Sequence, residues 1–289
     1  MALIPPFHMD TVVALGTYDE ANQLYWMASG FLYGQYSRTG ENGDKYYHVY
    51  LVTAQHVLSG KRRLCLRFNP LEDKPARSYD IDLLGADDSP RWFMSPRPDA
   101  DVAAIWINAN LLDQEGIRFK YFKDDENVAT VDTMKELGVS EGDYVFVLGF
   151  PMGIVGEKQN VVIARSGSIA RIRDTLSGAS SDYWVDAFVF PGNSGGPVVF
   201  KPELVSIEGT SAIKKAYLIG VVVKYIPYRD VAVSQQTGQV RVVFEENSGL
   251  ARVLPIDFVQ EAIQEHRRTL GPQGGPIAAM GEAEAPAEG

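Results

Sequence analysis

One short string in this chain carries the residue types needed to hold and activate a nucleophile: Pro191-Gly192-Asn193-Ser194-Gly195-Gly196-Pro197. A serine hydroxyl attacks poorly until a base takes its proton and the resulting oxyanion is held. Glycines on both sides of Ser194 permit a tight turn that aims backbone N–H groups at one point, as stabilisation of a tetrahedral intermediate requires. Read alone, the string also fits a glycine-rich hairpin turn. A base is offered by His56, at the end of Leu51-Val52-Thr53-Ala54-Gln55-His56. An imidazole near neutrality can accept the serine proton, although a single histidine after an apolar run is more often a satisfied core residue. His8, His48 and His266 lack comparable surroundings. The third group is Asp101, which opens Asp101-Val102-Ala103-Ala104-Ile105-Trp106-Ile107. A carboxylate at the mouth of an apolar strand is costly unless paired, and this one could orient an imidazole and stabilise its charged form. Asp99 is a nearby competitor, but Asp101 begins the apolar run.

These side chains need rigid strand ends to hold them, and most of the chain reads as short strands separated by turn residues. Runs at 12–15, 46–52, 102–107, 144–148, 161–164, 183–189, 217–223 and 240–244 are rich in aromatic and β-branched residues. Leu64, Leu66 and Phe68 alternate with Cys65 and Arg67, a period-two pattern. Many short strands with Gly and Pro turns predict barrels or sandwiches. Helical signals are few. Residues 132–138 suggest a turn or two. The clear helix spans 255–270, with Asp257 as cap, Gln260 as its capping-box partner, Phe258, Ala262 and Ile263 on one stripe, and Arg267 and Arg268 at the C-terminal end. Residues 271–289 are Gly, Pro, Ala and Glu with little to bury, and are expected to be disordered. The polar stretch near Lys123-Asp124-Asp125-Glu126-Asn127 is the candidate joint between two halves, 1–122 and 123–254.

Composition bounds the function. The chain has 289 residues, is 45% hydrophobic and carries a net charge of −10, so it can fill a core without disulfide staples. The acidic balance disfavours nucleic acid as a partner. A single cysteine, Cys65, forbids an internal disulfide and suggests a reducing compartment. The N-terminus does not read as a signal peptide, and no run approaches the ~20 apolar residues of a membrane helix. A cytoplasmic protein with no membrane contact is the expectation.

Together the three motifs resemble the trypsin-like serine proteases, which carry their triad in the same order. Thr53-Ala54-Gln55-His56 resembles the family's T-A-x-H, Asp101-Val102-Ala103 its D-[IV]-A, and Gly192-Asn193-Ser194-Gly195-Gly196-Pro197 its G-[DN]-S-G-G-P. Ala28-Ser29-Gly30-Phe31-Leu32 is similar to the family's G-S-G-F strand. Asn193, the preceding Asp186-Ala187-Phe188-Val189-Phe190-Pro191, and Gly149-Phe150-Pro151-Met152-Gly153 resemble the bacterial HtrA/Deg branch in particular. The resemblance implies an all-β fold: two six-stranded antiparallel barrels, His56 and Asp101 on the first and Ser194 on the second, followed by a C-terminal helix. It implies a serine endopeptidase with His56, Asp101 and Ser194 as triad, and the N–H groups of Gly192 and Ser194 as oxyanion hole. It further implies that Val221-Val222-Val223-Lys224-Tyr225 pairs with extended protein or peptide substrates. Neither metal nor organic cofactor is expected. The family places the sixth residue before the serine at the base of its primary pocket, here Phe188. With the apolar wall of Val222 and Val223 it would favour small or medium apolar residues before the cut bond, and Lys224 joins them as a substrate-binding residue. Three departures stand out: regulation by a PDZ domain after the helix is not expected, the family's disulfides are missing, and Asn193 replaces the aspartate that secreted trypsins use in activation. Two alternatives belong to other classes. A catalytically silent peptide-binding relative should lose a triad member, and all three are present. An α/β-hydrolase-type esterase would place its histidine last and a helix after the serine, whereas His56 comes first and Val198-Val199-Phe200 reads as strand.

Overall fold

The computed structural model describes residues 4–203, 207, 212–270 and 281–282. Its first half contains β1 (Val12–Tyr18), β2 (Leu24–Thr39), β3 (Lys45–Thr53), the single turn α1 (Gln55–Leu58), β4 (Arg63–Pro70), β5 (Arg77–Asp82), β6 (Phe93–Met94), β7 (Ala103–Trp106), α2 (Ala109–Gln114), β8 (Ile117–Arg118) and β9 (Phe122–Lys123). The hydrogen-bonded path runs β5-β4-β1-β2-β3-β7-β6, with β8 on β4 and β9 on β2. Beyond β5, Arg91 N–H donates to Leu83 C=O at 2.9 Å and Leu84 bridges Pro90, so the ends of the path meet and the sheet curls into a barrel. Leu32, Leu51 and Ile105 oppose one another on one face of it and are fully buried.

The second half contains α3 (Val131–Glu136), β10 (Tyr144–Gly149), β11 (Ile163–Arg171), α4 (Arg173–Leu176), β12 (Tyr183–Asp186), β13 (Pro197–Phe200), β14 (Leu218–Val233), β15 (Val240–Pro255) and α5 (Asp257–Leu270). Six of its strands close a barrel in the order β10-β11-β12-β15-β14-β13. The fold is therefore the all-β, two-barrel arrangement with a C-terminal helix. Of residues 271–289, only β16 (Gly281–Glu282) is described, paired with Asp80 and Tyr79 of β5; the rest of that tail lies outside the described residues.

Local departures from the sequence reading have physical causes. The alternation along β4 does not separate core from solvent, because Cys65 and Arg67 are buried as well. The Arg67 guanidinium reaches the carbonyls of Val155, Gly156 and Glu157 and the side chain of Asn160. That loop covers the outer face of β4. It also delays β11, which starts at Ile163 rather than 161. Thr130 caps α3 by accepting from Thr133 N–H, so the helix begins at Val131 rather than at 132. No capping box forms on α5: the Asp257 carboxylate accepts from Val131 N–H at 3.0 Å, and the Gln260 amide donates to the Tyr33 hydroxyl. The helix thus ties to both halves, while Phe258, Val259, Ala262 and Ile263 pack on the first core. The largest difference concerns β14 and β15, read as ending at 223 and 244. Each runs 16 residues, and their far ends form an exposed two-stranded ribbon.

Candidate active site

His56 and Asp101 are brought together by strand register. Thr53 of β3 pairs with Ala103 of β7, so the turn that leaves β3 and the residue that enters β7 lie side by side. Asp101 then grips His56 twice: Oδ1 accepts the backbone N–H at 2.9 Å and Oδ2 faces Nδ1 at 2.7 Å. A carboxylate against Nδ1 holds the proton on that nitrogen and leaves Nε2 as an acceptor. Asp99 is engaged elsewhere, accepting from the Ser181 hydroxyl.

Ser194 lies on the loop between β12 and β13, where two glycines adopt a left-handed backbone. Gly195 has φ +82, and a Cβ there would sit 2.1 Å from Thr53 Oγ1 and 2.2 Å from Ser29 O. Gly192 has φ +100, and a Cβ would sit 2.3 Å from Phe150 O. No other residue type fits either place.

The loop is pinned by buried hydrogen bonds that converge from both barrels. Ser29 N–H donates to Ser194 C=O at 3.0 Å. Ser29 Oγ donates to Gly192 C=O at 2.6 Å and accepts from Phe150 N–H at 2.9 Å. Met152 N–H holds Pro191 C=O at 2.6 Å, and Gly196 N–H holds Asn193 C=O at 2.8 Å. Those last two bonds each fix a peptide plane, and a trans peptide aims its N–H opposite its C=O. The N–H groups so aimed belong to Gly192 and Ser194. Among the described residues neither donates to any protein group, whereas the N–H groups of Asn193, Gly195 and Gly196 are all paired.

His56, Asp101 and Ser194 line one cleft of about 420 Å³, walled by Val189, Phe190, Pro191, Val222, Val223, Lys224 and Tyr225. Ser194 Oγ donates to Val223 C=O at 3.3 Å; among the described residues no hydrogen bond joins it to the imidazole. Of the expected substrate-contact residues, Val222, Val223 and Lys224 line the cleft and Phe188 does not. From Tyr183 to Val189 burial alternates, with Tyr183, Val185, Ala187 and Val189 facing the core and Asp186 and Phe188 outside. Phe188 is 55% exposed, and its ring, like the Asp186 carboxylate, stands beside Gly249. Val189 and Phe190 take the wall that was expected of Phe188.

Several contributors escaped the sequence reading. Ser29 and Met152 sat inside quoted motifs but were given no role. Tyr225, expected only to pair with substrate through its strand, also lines the cleft with its side chain; its hydroxyl donates to Glu245 at 2.8 Å, and Glu245 pairs with Arg229 at 2.9 Å. Glu261 of α5 accepts from the Ser95 hydroxyl and pairs with Arg97, on the segment that leads into Asp101. Cys65 is no rival nucleophile, since burial pushes its thiol up to about 12. Among the described residues no three His, Cys, Asp or Glu side chains gather as a metal-ligand set.

A model of the trypsin-like peptidase domain matches residues 28–203, more than half of the chain. The chain belongs to the trypsin-like peptidase family. No curated protein matches it. Among solved structures it is similar to the Rv3671c protease in its inactive form, with 15% identity and a TM-score of 0.40 over 94% of this chain and 91% of that one. That likeness is too distant to bear on the site. As a member of its family the chain is a peptidase, with protein substrates. Among the described residues no helix is long and apolar enough to cross a membrane.

Proposed function

We propose that this peptidase is a serine endopeptidase in which Ser194 is the nucleophile, His56 the general base and acid, and Asp101 the residue that orients His56. The observation that carries the reading is the pair of unpaired N–H groups, Gly192 and Ser194, on locked peptide planes beside a serine that shares its cleft with a carboxylate-bound imidazole. Donors fixed before substrate arrives need no reorganisation when charge develops on the carbonyl oxygen, and this makes an oxyanion hole effective. The substrate carbonyl draws Ser194 Oγ away from Val223. Catalytic hydrogen bonds are commonly loose before substrate binds.

Ser194 Oγ adds to the carbonyl carbon as its proton passes to His56 Nε2, and the oxyanion rests on Gly192 and Ser194 N–H. His56 returns the proton to the departing amine, leaving an ester on Ser194. Water, deprotonated by His56, then releases the acid and restores the hydroxyl. The strand Val222-Val223-Lys224-Tyr225 lies beside the nucleophile, where an extended substrate would add to it.

The cleft wall supports a preference for small or medium apolar side chains before the cut bond, now assigned to Val189, Phe190 and Val222. Among the described residues its only carboxylate is Asp101, already committed to His56. A buried substrate cation would lack a partner there. The test is a peptide library cleaved by wild type and by Ser194→Ala. Graded cleavage after Ala, Val or Leu, lost in the variant, is expected. Dominant cleavage after Lys or Arg, abolished by Asp186→Asn, would overturn the apolar pocket. Undiminished cleavage by the folded variant would overturn the nucleophile.

A further inference from the structure

The ribbon formed by the far ends of β14 and β15 shows apolar side chains on both faces to solvent. An isolated two-stranded ribbon is marginal in water, and a third strand stabilises it. One of its edges is open: β13 pairs with β14 only as far as Val221, and among the described residues no strand continues along that edge to Val233. The open edge begins at the cleft, where Val223 C=O faces Ser194 Oγ.

The cross-strand register links one face of the ribbon to the cleft. Arg229 pairs with Glu245, Val231 with Val243, and Val233 with Val240, and directly opposed residues share a face. The Tyr225 hydroxyl, at the cleft, bonds the Glu245 carboxylate. The face therefore runs from Tyr225 through the Arg229–Glu245 pair to four valines. Val231, Val233, Val240 and Val243 are 44%, 57%, 59% and 52% exposed. Pro227, which has no N–H to offer, divides the edge into a stretch at the cleft and a stretch at the valines.

We propose that this ribbon is an exosite that takes a second, upstream segment of the substrate by strand addition to the free edge of β14. The inference rests on the peptidase reading of the cleft. A substrate strand antiparallel to β14, with the residue before the cut opposite Val223, runs its preceding residues outward along the ribbon. At roughly 3.3 Å per residue Val231 and Val233 lie about 26 Å and about 33 Å from Val223, opposite roughly the ninth to eleventh residues upstream. The matching segment is extended and alternately apolar, so that every second side chain joins the valine face while the others face water. Its main chain supplies the hydrogen bonds and its alternation the selectivity.

The experiment uses the full chain and two peptides with the same residues around the cut. One ends four residues upstream; the other continues for ten more as alternating Val and Thr. Wild type should cleave the long peptide with kcat/KM roughly tenfold above the short one. The quadruple variant Val231→Ser, Val233→Ser, Val240→Ser, Val243→Ser changes only exposed side chains. It should lose that advantage and keep wild-type turnover of the short peptide. Fluorescence anisotropy with the Ser194→Ala protein reads binding of the long peptide without catalysis. Length-independent cleavage and binding would overturn the exosite while leaving the peptidase reading intact. So would a quadruple variant whose main change is a lower oligomeric mass, because a second copy of the chain would then be the occupant. Length-dependent binding without cleavage by wild type would uphold the exosite and reject the catalytic reading.

Discussion

Ser29→Ala removes one hydroxyl that serves both stability and the loop of the nucleophile. Ser29 is fully buried, and its Oγ donates to Gly192 C=O at 2.6 Å and accepts from Phe150 N–H at 2.9 Å. Alanine leaves a buried acceptor and a buried donor unpaired. Each costs about 1–3 kcal/mol, and after partial relaxation of the loop the sum should be about 2–4 kcal/mol. At about 2–4 °C per kcal/mol for a chain of this size, Tm should fall by roughly 4–16 °C. The rate should suffer separately. Deleting one oxyanion donor costs about 10²–10³ in kcat, so a loop freed at Gly192 but still held by Met152 should lose about 10- to 100-fold. KM should stay within about threefold, because a loss confined to the transition state lowers kcat without weakening substrate binding. Thermal melts followed by near-UV circular dichroism, and turnover of a small ester substrate measured well below the variant's Tm, separate the two effects. A variant that melts like wild type with unchanged kcat would refute the reasoning. A kcat that falls only in proportion to the folded fraction would leave Ser29 a purely structural residue.

Two further outcomes follow from the same contacts. Glu261→Ala should lower kcat by about three- to tenfold and move the acid limb of the pH–rate profile, because Glu261 holds Ser95 and Arg97 on the segment entering Asp101; Glu261→Gln, which can still accept from Ser95, should recover most of the rate, and a flat response in rate and profile would remove Glu261 from the site. His8 and His266 are buried, and desolvation lowers each to about 4, with Arg267 and His48 adding to the effect at His266. Their unfolded value is about 6.5, so between those limits the unfolded chain binds more protons and stability falls as pH drops, by up to about 3 kcal/mol per histidine. Urea denaturation at pH 7.5 and pH 5 should show this loss, and His266→Phe should lessen it; equal stability at both values would contradict the assignment.

The parts of the candidate site that sequence alone revealed are those whose chemistry is local. Ser194 sits among glycines that only a left-handed backbone requires, and His56 and Asp101 mark strand ends by the apolar runs beside them. The choice of Asp101 over Asp99 rested on the start of such a run, and the register of β3 with β7 sets Asp101 against His56. What sequence did not reveal depends on long-range packing. Phe188 leaves the cleft wall because the barrel sets the parity of residues 183–189, and a motif offset carries no parity. The ribbon left no signal because from Lys224 to Asp230 no side chain is fully buried on either face and apolar and polar residues do not alternate. Glu261 could not be foreseen because its partners lie more than a hundred residues away, across the packing of α5 on the first barrel.

The central claim is that Ser194 is a nucleophile activated by His56. Labelling with a fluorophosphonate, located by peptide mass spectrometry, tests it most directly. The probe should modify Ser194 and no other serine in the wild-type protein. Labelling should vanish in Ser194→Ala and drop by several orders of magnitude in rate in folded His56→Ala. An unlabelled Ser194 in folded wild-type protein, or labelling at the same rate without His56, would contradict it.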